Sequence, residues 1–140
     1  MKRTGGVVRG RPDSGEALVE FALILPIMLV LSLGMLDFGR AFHTKSLVDQ
    51  AAREGCRVAI VTKPPDPGLI QDRVKTVLDS GGVKFDAITV EGPNASRLVK
   101  VKVEVTFTFI TPGVFSLIGA SYNNTLAMVG QSTMRYEGGN

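Results

Sequence analysis

Hydrophobic positions along the chain fall into three patterns, and each predicts a different element. The first is an apolar run with no period. In GEALVEFALILPIMLVLSLGML, Gly15 to Leu36, only Glu20, Pro26, Ser32 and Gly34 break an otherwise apolar stretch after Ala17. Twenty helical residues span about 30 Å, the hydrocarbon thickness of a bilayer. The competing reading, a core helix buried on all sides, needs more surrounding domain than 140 residues supply. A transmembrane helix over 16–36 is therefore expected, with Glu20 as its anomaly: a carboxylate near the head of a segment meant for lipid.

The second pattern has a helical period. In DFGRAFHTKSLVDQAAREGCRVAIV, small or apolar residues recur at Phe38, Ala41, Phe42, Val48, Ala51, Ala52, Gly55 and Ala59, while Asp49, Arg53, Glu54 and Arg57 fall mostly outside that stripe. The spacing predicts that the membrane helix continues through 37–62 as an amphipathic extension. TKPPDPG then stops it, because Pro64, Pro65 and Pro67 lack amide donors. One helix of about 45 residues, roughly 65–70 Å long, results. A second amphipathic helix is predicted over Leu69–Ser80, closed by Gly81 and Gly82.

The third pattern alternates. Val99, Val101, Val103, Val105, Phe107 and Phe109 face one way, and Lys100, Lys102, Glu104, Thr106 and Thr108 the other. That is a strand with one wet face, as in an antiparallel sheet backed by a helix. Further strands are predicted at Val83–Val90 and Thr125–Tyr136, with a short helix over Val114–Gly119 after Pro112 and Gly113 interrupt the long strand. The fold class expected is α+β: a long N-terminal helix and a small antiparallel sheet with a short helix over 63–140.

Charge alters the picture only at the N-terminus. The formal +3 is accounted for by Lys2, Arg3, Arg9 and Arg11 against Asp13, so the chain from Glu16 onward is neutral. A basic leader over 1–15 on a neutral body points to membrane targeting and not to nucleic acid. Asp13 and Glu16 have the spacing of a capping box, which gives DSGE an ordinary reading as a helix start. A carboxylate near a helix start that reaches the headgroups would account equally for Glu20.

No catalytic arrangement is found. His43 and Cys56 are the only imidazole–thiol pair. On one helix they stand ~20 Å apart along the axis and on roughly opposite faces, which excludes a dyad. One His and one Cys do not make a tetrahedral zinc site, and no phosphate or dinucleotide fingerprint occurs. Neither an enzyme nor a cofactor is expected. The single cysteine leaves no intramolecular disulfide.

Taken together, the basic leader, Gly15, and a glutamate five residues later at the head of an apolar helix resemble a class III, type IV pilin signal. GEALVEFALILP, GMLDFGR and AAREGCRVA extend the resemblance to the TadE-like pseudopilins of the Tad (tight adherence) pilus system. It covers about residues 14–60 and rests on Gly15, Glu20, Phe21, Pro26, Gly34, Asp37, Arg40, Ala51, Arg53, Glu54, Gly55 and Arg57. Asp37 and Cys56 stand where that family more often has Glu and Ala.

The resemblance implies cleavage between Gly15 and Glu16 by an aspartyl prepilin peptidase. Glycine suits such a site, being unobstructed and a poor helix former that leaves the junction extended. Cleavage removes the net positive charge and leaves an ammonium at Glu16, which can neutralise Glu20 of a neighbouring helix. Glu20, Phe21 and Pro26 are then the assembly and register positions. Gly34, Asp37, Arg40, Ala51, Arg53, Glu54, Gly55 and Arg57 form the helix-packing motif. Pro26 removes the amide that would bond to Ala22, which either eases local melting during extraction from the membrane or is a plain kink. Implied partners are the prepilin peptidase, Flp-type pilins, other TadE- or TadG-like pseudopilins, the inner-membrane assembly platform with its motor ATPase, and the lipid bilayer.

Lys and Arg flank the span on both sides, so the cytoplasmic N-terminus and trans-side domain rest on the processing signal. Two rival readings stay open. One is an unprocessed single-pass anchor carrying a binding domain. The other is a secreted protein cut after the apolar run, although LDFGR offers no small-residue site near Leu36.

Overall fold

One helix, α1 (Ser14–Val61), runs unbroken for 48 residues with Pro26 inside it, a length of about 72 Å. The computed structural model describes residues 14–136 apart from 63, 95, 117, 118 and 120–122. The basic leader up to Asp13 lies outside the described residues, and so does the partner that Glu16 would need for a capping box. Along α1 two environments follow one another. Its most apolar window has a mean hydropathy of 2.3 and no buried residue. From Asp37 onward one face is buried, through Asp37, Thr44, Val48, Ala51, Ala52, Gly55, Cys56 and Ala59.

That face differs from the stripe read in the sequence at its start. Phe38 and Phe42 are each 72% exposed, and Ala41 is half-buried. At about 100° per residue, Asp37, Thr44, Val48, Ala51 and Gly55 share one line, while Phe38 and Phe42 are rotated roughly 100° or more off it. Because the first two positions of the true line are polar, a hydrophobic template shifted to the phenylalanines.

The remaining elements follow as α2 (Pro67–Ser80), β1 (Ala87–Glu91), β2 (Leu98–Thr108), α3 (Thr111–Ser116) and β3 (Thr125–Arg135). α2 begins two residues before the predicted Leu69. The Asp66 carboxylate caps it, accepting from the Gly68 N–H at 2.8 Å, and Pro67 occupies the first turn. A proline that ends one helix is equally suited to open the next. Its C-terminus closes as expected: the Val83 N–H returns to the Leu78 carbonyl at 3.0 Å, with Gly82 at φ +67°.

The three strands form an antiparallel sheet in the order β1-β2-β3. β2 is central, pairing Val101 with Val90 of β1 and with Ser132 of β3. Val99, Val101, Val103, Val105 and Phe107 are buried, while Lys100, Lys102 and Glu104 face outward, half-buried. The valine face packs on the C-terminal half of α1 and on Ile70, Val74 and Leu78 of α2. β1 is shorter than predicted. Val83 and Phe85 pack against the core, but they do so while arriving from α2, and the ladder starts only where the Asp86 N–H reaches the Glu104 carbonyl. α3 begins at Thr111, three residues early, because its first turn is held by a side chain far away in sequence (below). The last residues of the predicted Val114–Gly119 helix lie partly outside the described residues.

Two glycines permit this packing. A Cβ on Gly55 would stand 2.7 Å from Val74 Cγ2 and 3.2 Å from Val101 Cγ1, so α2 and β2 converge on α1 there. A Cβ on Gly130 of β3 would stand 2.6 Å from the Val48 carbonyl oxygen, backbone against backbone. Overpacking of this kind costs about 1–3 kcal/mol. Gly130→Ala is accordingly expected to lower the unfolding free energy of the full chain in detergent by that amount. Gly34→Ala, inside α1 with nothing within 4 Å of the added carbon, is expected to cost nothing and to gain up to about 1 kcal/mol from helix propensity. Denaturant titration of both variants checks the contrast, and equal effects would contradict the packing described.

Candidate functional site: the N-terminal helix and its junction with the domain

The residues of the implied cleavage signal lie at the free end of α1. Gly15 and Glu16 occupy its first turn and are exposed, as are Glu20 and Phe21. The structure corrects one expectation here: the junction is helical, not extended. A glycine costs only about 1 kcal/mol in a helix, too little to stop a long apolar helix from propagating back through it. Glu20 forms no ion pair among the described residues. Pro26 sits within the unburied segment without ending the helix.

At the other end of the apolar segment the chain makes its densest polar contact. Asp37 is only 2% exposed. Its Oδ2 accepts from the Ile110 N–H at 2.8 Å, from the Thr111 N–H at 2.7 Å and from the Thr111 hydroxyl at 2.8 Å. Its Oδ1 accepts from the Ile110 N–H at 3.0 Å and from Arg40 Nη1 at 3.1 Å. The carboxylate thus caps the first turn of α3 from another helix, satisfying amides that a helix start leaves unpaired. Burial by itself raises the carboxyl pKa. The Thr111 and Ile110 N–H groups, the Thr111 hydroxyl and Arg40 outweigh it and hold the group below the ordinary aspartate value.

Arg40 extends the cluster. Its guanidinium carbon lies 5.2 Å from the centroid of the Phe107 ring, and Phe107 meets Phe109 edge-on at 5.0 Å. α1, the end of β2 and the start of α3 are therefore joined at one level, immediately after the apolar run. Sequence reasoning placed Asp37 in a motif and gave it no partner. The available signal was its phase, because a carboxylate in line with Thr44, Val48, Ala51 and Gly55 faces the domain.

The rest of the implied helix-packing motif divides in two. Ala51 and Gly55 are buried under β2 and α2, whereas Arg53 is exposed. Glu54 reaches Arg73 of α2 at 3.3 Å and lies 3.9 Å from the exposed Arg57; such surface pairs are each worth about 0–1 kcal/mol. Gly34 lines an open cavity at the junction. Cys56 is buried, its Sγ 3.1 Å from the Ser132 carbonyl, while His43 is exposed. Among the described residues, no three His, Cys, Asp or Glu side chains stand together as a metal-holding group.

The Asp37 contact carries a pH signature. A carboxyl held below its ordinary value contributes stability that is present above the unfolded-state pKa, about 3.9, and is lost as pH falls through the folded-state value. Asp37→Ala leaves buried donors unpaired and is expected to destabilise the domain by about 1.5–3 kcal/mol at neutral pH. Asp37→Asn, which keeps an acceptor, is expected to cost less. The gap between either variant and the parent should begin to narrow below about pH 4 and go on narrowing as pH falls through the lower folded-state value, read by thermal unfolding of the full chain across pH. A gap that persists into acid would show that the charge is not what holds the junction.

No curated protein and no solved structure matches the chain. One family model does, over residues 15–57, which span α1 from its first turn through the packing residues and Asp37. The family is that of the TadE-like proteins, and the N-terminal helix of this chain carries its sequence.

Proposed function

We propose that the chain is a minor pseudopilin of the Tad/Flp pilus assembly and secretion system. It is inserted as a single-pass prepilin in the inner membrane, with its N-terminus cytoplasmic and its domain on the trans side. Prepilin peptidase cuts it between Gly15 and Glu16, and it joins the apparatus through α1. The TadE-like match ties the chain to the Tad pilus in general. The observation that carries the finer reading is the coincidence of that match with a helix whose apolar window is wholly unburied within its own chain. Such a surface needs an apolar environment outside the protein, which lipid supplies before assembly and neighbouring helices supply after it.

The chemistry of assembly follows from two charges. Cleavage leaves an ammonium on Glu16, one turn from the exposed Glu20 carboxylate. An acid inside the bilayer costs about 2.5–3.5 kcal/mol on insertion scales. A stagger that places the ammonium of one protomer against Glu20 of the next offsets that cost, whereas other staggers do not. Glu20 thereby sets register, as a buried polar group does in a coiled coil. Flp-type pilins, companion TadE- or TadG-like pseudopilins and the assembly platform are the partners this role calls for.

The N-terminal mass of protein recovered from its native envelope tests processing. A chain beginning at Glu16 is expected, and one retaining Met1 would leave an unprocessed membrane-anchored binding domain. Glu20→Gln tests the register. It should be processed normally and yet enter pili or pseudopili roughly tenfold less than the parent, if pairing offsets about half of the insertion cost. Incorporation equal to the parent's would refute the role given to Glu20.

A further inference from the structure

At the end of the domain that faces the apolar run, the sheet and α3 supply no charged side chain; the charges there, Asp37 and Arg40, come from α1. Charged side chains make up 21% of the chain, yet no Asp, Glu, Lys, Arg or His occurs in residues 105–134. A gap of that length at such a density is a property of one region and not of the whole. The fold brings the middle of this stretch, the end of β2, the start of α3 and the start of β3, to the end of the sheet next to the apolar run, while the rest of it runs along β3 to the other end. Thr108 of β2 pairs with Thr125 of β3, and Ile110 and Thr111 bond to Asp37, the first buried residue after the apolar run. At the opposite end of the sheet stand Glu91, Lys100 and Arg135, where Glu91 pairs with Lys100 and Leu98 with Arg135.

Around the end next to the apolar run, apolar side chains are uncovered. Ile110 and Leu126 are 42% and 47% exposed, and Phe38 and Phe42 project from α1 beside them. Gly34, Phe38, Ala41, Phe109, Pro112 and Leu126, together with the polar Asp37, Thr111 and Asn123, line an open cavity of about 760 Å³. Its first wall, Gly34, belongs to the last turns of the segment read as a membrane span, and its last, Leu126, belongs to the sheet. The cavity therefore continues the unburied apolar surface of α1 directly onto the domain. Arg40, with its side chain 45% exposed, stands about one turn beyond Asp37, where a cation meets phosphate headgroups while its stem stays in apolar surroundings.

We propose that this end of the domain is a second membrane contact. The edge formed by Phe109, Ile110, Pro112 and Leu126 lies in the interfacial layer of the bilayer, and the cavity takes up phospholipid acyl chains. The domain then rests on the membrane in one orientation instead of swinging above it, held by Asp37 from within and by lipid from below. Lipid is the occupant because the cavity opens along a helix surface that the span reading already immerses, and the one charged group in its lining, the Asp37 carboxylate, is buried and taken up by Ile110, Thr111 and Arg40. The inference rests on the reading of 16–36 as a membrane span.

The test uses the full chain reconstituted in phosphatidylethanolamine/phosphatidylglycerol vesicles. Leu126→Cys and, separately, Ile110→Cys carry an environment-sensitive fluorophore, with Leu25→Cys marking the span and Asp72→Cys on α2 marking the aqueous side. Buried Cys56 stays unlabelled. The labels at 126 and 110 are expected to be quenched by doxyl groups placed shallowly on lipid chains, and to be several-fold less quenched by aqueous iodide than the label at 72. If the labels at 126 and 110 are as open to iodide as that at 72 while the label at 25 is quenched by lipid, the span stands and the second contact is overturned. If the label at 25 is itself open to iodide, the span reading falls and takes the second contact with it. Shielding from both quenchers, with self-quenching that grows as protein per vesicle is raised, would place a second copy in the cavity and overturn the lipid assignment.

Discussion

One helix carries an apolar surface open on all sides along one half and a face buried against the domain along the other, and the structure turns on the residue where it passes from one to the other. Up to Leu36 α1 presents apolar side chains outward with nothing of its own chain covering them. At Asp37 a buried carboxylate takes hold of the Ile110 and Thr111 amides and so fixes the end of β2 and the start of α3 against the helix. An apolar contact at this level could slide along a helix that is apolar on all sides. A carboxylate answering two amides and a hydroxyl cannot, because moving it leaves buried donors unpaired. The rest of the domain is then built outward, with the valine face of β2 on α1 and α2, and with Gly55 and Gly130 admitting the backbones that come closest.

This arrangement makes α1 both anchor and core. Its C-terminal half contributes Val48, Ala51, Ala52, Cys56 and Ala59 to the only hydrophobic cluster among the described residues. The domain is therefore not a globule hung from a tether, and a displacement of the helix along its axis is passed to the domain rigidly. On the proposed reading, in which the protein leaves the bilayer and stacks through α1, such coupling would carry a register set near Glu20 through to the position of the domain.

Much of this was legible in the sequence because strong periodicities rest on geometry that tertiary contacts do not override. The alternation from Val99 to Phe107 and the spacing of Ile70, Val74 and Leu78 map directly onto buried faces. What escaped were features whose cause lies far away in the chain. The start of α3 depends on a carboxylate on α1, so Pro112 and Gly113 read as an interruption when Pro112 in fact occupies a first helical turn. Asp37 and Thr44 are polar residues on a buried line, and a hydrophobic template assigns that line to Phe38 and Phe42 instead. Gly130 lies within a predicted strand, and its need to be glycine comes from the Val48 carbonyl that the fold sets against it. The site residues at 15–26 were read from a family resemblance, and within one chain they lie exposed on a helix, so their proposed role between chains is a matter for the assembly experiments.

Residue-resolved amide hydrogen exchange of the full chain in lipid nanodiscs, followed through a urea titration, tests the handover at Asp37 most directly. The account predicts that amides over 18–36 keep their protection at urea concentrations that unfold the domain, while those over 44–59 lose theirs together with β2. Loss of protection along the whole of α1 in one step would contradict it, because the apolar segment would then be part of a soluble core and not a helix shared between lipid and protein.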